Sequence, residues 1–184
     1  MRTFCGDCPF PIKKRPGRRI LLAVNKRKGD GMATIVLDMD GTIADLYGYP
    51  HWLGYLANED AAPYRMAEPL VNVGELEAAI DFAHSEGIRV AVVSYGSKGG
   101  TPAYDGKVKC AKLDWLERHG LAFDEVHITK HGTPKASVIS DGLACLIDDE
   151  QGNRDEWDKG RAYDASDVVG SFFAAIDWLR ATRL

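Results

Sequence analysis

The stretch TIVLDMDGTIADL, residues 34–46, drives a run of apolar, β-favouring residues into two carboxylates and a glycine. Asp38 and Asp40 are two positions apart, so on a strand their side chains share one face. At the end of that strand they crowd one small volume, where like charges repel and one carboxylate is normally forced to hold a proton. A second acidic pair, Asp148 and Asp149, follows another apolar run in LACLIDDE. In AVVSYGSKGG, Ser94 offers a hydroxyl ahead of a glycine-rich turn whose backbone N–H groups suit an anion. Lys135, in GTPKASVI, supplies a positive charge. Four carboxylates aimed at one pocket call for a hard divalent cation. Mg2+ characteristically takes one or two protein carboxylates together with water and phosphate oxygens. Acids, metal, lysine and N–H donors together describe phosphoryl transfer, in which the protein mainly positions groups and neutralises charge.

Taken singly, each of these has a plainer explanation. An aspartate after a strand is often a turn former or a helix N-cap, which is the reading for Asp45 and Asp105. Ser94 alone is a loop serine, Lys135 alone a solvated lysine, and an Asp-Asp pair is common on surfaces. The plain explanations weaken because all four clusters fall in order at the ends of successive strands.

Strands and helices alternate along the chain. ATIVLD (33–38), IRVAVVS (88–94), DEVHIT (124–129) and LACLIDD (143–149) read as strands, with RAYDA (161–165) as a fifth. VGELEAAIDFAHSEG (73–87) has helical apolar spacing at Leu76, Ala79, Ile80 and Ala83 and stops at Gly87. KVKCAKLDWLERHG (107–120) reads as a helix after a glycine-rich loop, YGSKGGTPAYDG, and DVVGSFFAAIDWLR (167–180) closes with an amphipathic one. Residues 45–73, rich in tyrosine and proline, read as irregular. Near-continuous apolar strands separated by helices imply a parallel sheet covered on both faces. With right-handed crossovers this becomes a three-layer α/β/α, Rossmann-like sandwich whose working groups gather at the carboxyl ends of the strands.

The 184 residues suit one domain, and 45% hydrophobic with 27% charged residues supports a packed core rather than disorder. No apolar run reaches the length of a membrane span, and the basic, proline-broken start lacks a signal core, so a cytoplasmic location is expected. Charge is uneven. Residues 1–31 hold nine of the 23 basic and two of the 27 acidic residues, leaving 14 basic and 25 acidic for the rest. Such an arm can touch nucleic acid; the favoured reading is an extension outside the working protein, since Met32 would be a natural start before the first strand. Cys5 and Cys8 form a lone CxxC, whereas a structural zinc site wants four ligands. Cys145 reads as a small core hydrophobe, and nothing suggests disulfides.

The combined pattern resembles the haloacid dehalogenase superfamily of aspartate-nucleophile phosphatases. VLDMDGT is similar to its first motif, AVVS to the second, Lys135 to the third and LIDDE to the fourth, over residues 33 to about 180. The spacing in ITKHGTPKASVISDGLACLIDD most resembles the 5′(3′)-deoxyribonucleotidase branch, with phage and bacterial hydrolases close by. The resemblance implies Asp38 as nucleophile, Asp40 as general acid/base, and Mg2+ held by Asp38, the Asp40 carbonyl and Asp149, with Asp148 acting through water or from behind the direct ligands. It implies that Ser94 and the N–H groups of Tyr95, Gly96 and the Met39 region hold the phosphoryl group. Lys135 would offset charge; Lys130 is a rival for that place.

Substrate choice in this family rests on a cap, and residues 45–73 leave room only for a small one within a domain of 32–184. An open site admits nucleoside monophosphates or other small phosphate esters. Tyr47, Tyr49, Trp52 and Tyr55 either stack on a base or form the cap's own small core. Arg65 and Lys98 either meet a second charged group or are solvated. Two alternatives stand beside the small-molecule phosphatase: a polynucleotide 3′-phosphatase whose basic arm grips the backbone, and a non-catalytic binding module of the same fold.

Overall fold

The computed structural model describes residues 32–140 and 142–183; the basic N-terminal stretch and the Cys5–Cys8 pair lie outside them. Five strands form one all-parallel sheet: β1 (Thr34–Leu37), β2 (Arg89–Tyr95), β3 (Glu125–Thr129), β4 (Ala144–Asp148) and β5 (Ala162–Asp164), in the order β3-β2-β1-β4-β5. Among the described residues the α-helices are α1 (Trp52–Ala57), α2 (Ala62–Met66), α3 (Val73–Ser85), α4 (Pro102–Arg118), α5 (Gln151–Asp155) and α6 (Val168–Thr182).

The three central strands bury both faces, which is why they read as unbroken apolar runs. Ile35, Leu37, Val90 and Val92 face a core closed by residues of α3, α4 and α6. Val36, Ala91, Val93, Ala144 and Leu146 face the other way, against Ala136 and Ile139 around a short 3-10 turn (Lys135–Val138) and Trp157 just after α5. This is the expected three-layer α/β/α arrangement. Local signals set the helix ends. The Asn72 side chain accepts from the N–H groups of Gly74 and Glu75 to start α3, and Gly87, at φ 67°, follows its end.

Two expectations need correction. The glycine-rich loop does not run to Gly106, because Thr101 caps α4 by accepting from the Tyr104 N–H and Pro102 takes the first helical position. The helix therefore begins five residues earlier than its apolar period showed. Residues 45–73 are not wholly irregular either: they carry α1 and α2, packed on α4 through Leu46, Tyr64, Tyr104, Val108 and Ala111. Trp115 ties the same segment down by donating from Nε1 to the Ala67 carbonyl at 2.7 Å. Both helices are too short to stand without that packing. Among the described residues no helix is long and apolar enough to cross a membrane.

Candidate active site

The chain runs outward from β1 to β2 and β3, then returns to place β4 on the other side of β1. The sheet thus has its switch point between β1 and β4, where ligand crevices open at the strands' carboxyl ends. Asp38 is the first residue past β1, and its N–H donates to the Ile147 carbonyl at 2.9 Å, continuing the β1–β4 ladder. That one bond sets Asp38 beside Asp148, the last residue of β4. Carboxylate oxygens of Asp38, Asp148 and Asp149 all lie within 4.8 Å of one another.

Lys135 enters this cluster from the 3-10 turn after β3. Its ammonium donates to Asp38 Oδ1 and, at 2.6 Å, to Asp148 Oδ2, all three side chains being buried. Burial pushes the Asp38 carboxyl up to about 7, with Lys135 pulling against it and Asp148 and Asp40 adding to the rise. Burial works against the Lys135 charge, but Asp38 and then Asp148 outweigh it and push the ammonium up. The proton between them therefore rests on Lys135, much the stronger base. Lys130, the rival, is exposed.

The two acids at the end of β4 differ in burial and in hydrogen bonding. Asp148 is fully buried and much of its hydrogen-bonding capacity is used: besides Lys135 it accepts from the Glu150 N–H at 3.0 Å and from Asn153 Nδ2 on both oxygens. Asp149 is half-buried. It is steadied by Thr42, whose Oγ1 donates to Oδ1 at 3.3 Å and accepts from the Asp149 N–H at 3.2 Å. Burial raises its carboxyl above the ordinary range, with Asp148 adding to the effect. Arg154 braces the turn by donating to the Asp148 and Asp149 carbonyls at 2.8 and 2.7 Å.

The turn after Asp38 depends on Gly41. It sits at φ 79°, and a Cβ there would lie 2.4 Å from Asp149 Oδ2 and 2.6 Å from the Tyr47 ring. Only glycine allows that approach. Met39 is buried in the core, and its carbonyl accepts from the Ile43 and Ala44 N–H groups at 3.0 and 2.9 Å, curling the chain back under the site.

Asp40 points to a partner that the motif reading missed. Lys112, from the middle of α4, donates to Asp40 Oδ2 at 2.5 Å, to Ser94 Oγ at 2.8 Å and to the Tyr95 carbonyl at 2.7 Å. One signal was present in the sequence: Lys112 lies four residues after Val108 and four before Leu116, on the buried stripe of its helix. Thr42, Asn153 and Arg154 were also missed. Thr42 stood in view inside the DGT motif, whereas the other two reach the site only through the fold.

Of the expected phosphoryl contacts, Ser94 is fully buried at the end of β2. Its Oγ accepts from Lys112, which leaves its own proton for another acceptor. The Gly96 N–H is engaged with the Thr129 carbonyl at 2.6 Å, so it is not turned towards a phosphoryl group. Tyr95 closes one wall: its ring stands under the Lys135 ammonium, 4.9 Å from Nζ to the ring centre, and its hydroxyl donates to Asn153 Oδ1 at 3.0 Å.

Tyr47 reaches the mouth of the site, against Gly41 and Asp149, and meets Trp52 edge to face at 5.3 Å. Its phenol is pushed up by burial and then by Asp149 and Asp40, so it stays neutral. Tyr49 pairs with Tyr55. Arg65 forms an ion pair with Asp114 of α4 at 3.1 Å, and Lys98 is exposed on the loop before that helix.

No family model and no curated relative matches the chain. The site's donors are hard carboxylate oxygens with a neighbouring hydroxyl, a set that suits a hard divalent cation such as Mg2+, Ca2+ or Mn2+. Asp38, Asp148 and Asp149 bring their carboxylate oxygens close enough together to share one cation, with the Lys135 ammonium between Asp38 and Asp148. The residues present fit such an ion.

Proposed function

We propose that the protein is a Mg2+-dependent phosphomonoester hydrolase of the haloacid dehalogenase type, working through an aspartyl-phosphate on nucleoside monophosphates or similarly small esters. The observation that carries this reading is the pairing at the end of β1. Asp38 is buried against Lys135, while Asp40, two residues on, is held at the same pocket by Lys112.

In this reading an Asp38 oxygen attacks phosphorus, and the bond from phosphorus to the ester oxygen breaks. Asp40 delivers a proton to the departing oxygen from Oδ1, since Oδ2 is taken by Lys112. Asp40 then takes a proton from water, whose oxygen attacks phosphorus. The bond to Asp38 breaks, releasing inorganic phosphate and regenerating both carboxyl groups. Lys135 holds Asp38 in place and offsets the gathering negative charge. Mg2+, held by Asp38, Asp149 and the Asp40 carbonyl with Asp148 behind them, would neutralise charge on the phosphoryl oxygens. The nucleotide part of the proposal rests on Tyr47 and Trp52, an aromatic pair at the mouth where a base can stack.

A panel of phosphate esters assayed for phosphate release with and without Mg2+ tests both parts. The expected result is Mg2+-dependent turnover with nucleoside monophosphates among the best substrates. Fast release from sugar phosphates alone would remove the nucleotide part, and no release from any ester would remove the whole.

A further inference from the structure

Resting on the phosphatase reading, we infer that Lys112 is a positioning residue for the proton-transfer half of the reaction, acting through Asp40. A lysine ammonium carries three donors. Those of Lys112 are satisfied by Asp40 Oδ2, Ser94 Oγ and the Tyr95 carbonyl, and the ammonium also lies 5.0 Å from the centre of the Tyr64 ring. The side chain is wholly buried. A charge removed from water costs several kcal/mol unless its partners restore what it loses. All three acceptors here belong to the site, none to the α4 backbone that carries the lysine.

The geometry gives Lys112 two distinct jobs. By taking Oδ2 it fixes the rotamer of Asp40, whose side chain is 16% exposed, and reserves Oδ1 for proton exchange with the leaving group and later with water. By donating to Ser94 Oγ it directs the serine proton outward, towards whatever anion enters. The second job serves every phosphate ester equally. The first matters in proportion to how badly the leaving oxygen needs a proton, so the two can be separated by choice of ester. Lys112 is distinct in this from Lys135, which touches the nucleophile and so bears on every substrate alike.

The experiment compares kcat/KM for p-nitrophenyl phosphate and phenyl phosphate, which have nearly the same shape but differ in the stability of the departing phenolate. Lys112→Met should lower kcat/KM for phenyl phosphate by about 100-fold, the low end of general acid catalysis, and for p-nitrophenyl phosphate by less than about 10-fold. In an Asp40→Asn background the same substitution should add no leaving-group dependence, because both act on one function. Thermal melting establishes that the variants fold, and Lys112→Gln replaces Lys112→Met if the latter does not. Equal losses on both esters, in an active wild type, would overturn this inference alone. A wild type that hydrolyses neither these esters nor any nucleoside monophosphate overturns the phosphatase reading and this inference with it.

Discussion

The groups on the floor of the site, Asp38, Ser94, Lys135 and Asp148, are buried and belong to strand ends or the turn beneath them. Those around its mouth, Tyr47 and Trp52, ride on a loop and a short helix and keep more contact with water. The floor is fixed by the sheet: the Asp38 N–H continues the β1–β4 ladder, and Lys135 ties two neighbouring strand ends together. The mouth is fixed mainly by packing on α4, since neither α1 nor α2 is long enough to be stable alone. On the proposed phosphatase reading, the difference means that reaction type and substrate choice are encoded in separate parts of the molecule. The floor should tolerate almost no change, and the mouth should change specificity without loss of fold.

Substitutions put that contrast to the test. Asp38→Asn should abolish turnover, to below about one per cent of wild type for removal of a nucleophile, while the melting curve shows a folded protein. Retained activity would take the nucleophile's role away from Asp38. Lys135→Met leaves Asp38 and Asp148 buried without their cation and should cost about 3–5 kcal/mol in denaturant unfolding. Gly41→Ala forces a side chain into the left-handed region at a cost of about 1–2 kcal/mol, and it also displaces Asp149. Titration calorimetry should therefore record weaker Mg2+ binding. At the mouth, Tyr47→Ala should raise KM for a nucleoside monophosphate by the equivalent of about 1–3 kcal/mol of lost stacking. Its kcat and its KM for p-nitrophenyl phosphate should scarcely move. Smallest of all, Arg65→Ala breaks an ion pair with Asp114 in which both side chains are well exposed, worth about 0.2–1 kcal/mol after solvent screening. A larger effect on KM than on stability would return Arg65 to the substrate.

How far the sequence revealed this follows the same division. The parallel sheet was legible because β1, β2 and β4 are buried on both faces and leave unbroken apolar runs. Asp38, Lys135, Asp148 and Asp149 were legible because backbone ladders bring strand ends together whatever the surrounding detail. The start of α4 was missed because its first turn, Pro102–Gly106, lacks an apolar period, although Thr101-Pro102 is a start signal in its own right. Lys112 was missed because it crosses from a helix to two strand ends, and no local spacing encodes that reach. Asn153 escaped because only the turn into α5 brings its side chain back onto Asp148. The Gly96 N–H was expected to meet a phosphoryl group but bonds to Thr129, because β2 runs on to Tyr95, one residue beyond its expected end, alongside β3.

The central claim is that Asp38 itself carries the phosphoryl group between substrate and water. An acyl-phosphate is reduced by borohydride to an alcohol, which would convert that aspartate to homoserine and mark it for peptide mass spectrometry. Protein quenched with borohydride during turnover, with Mg2+ and substrate present, should carry homoserine at position 38, and omission of either should leave aspartate. Steady release of phosphate with position 38 unmodified, or with the mark on another residue, would contradict the account.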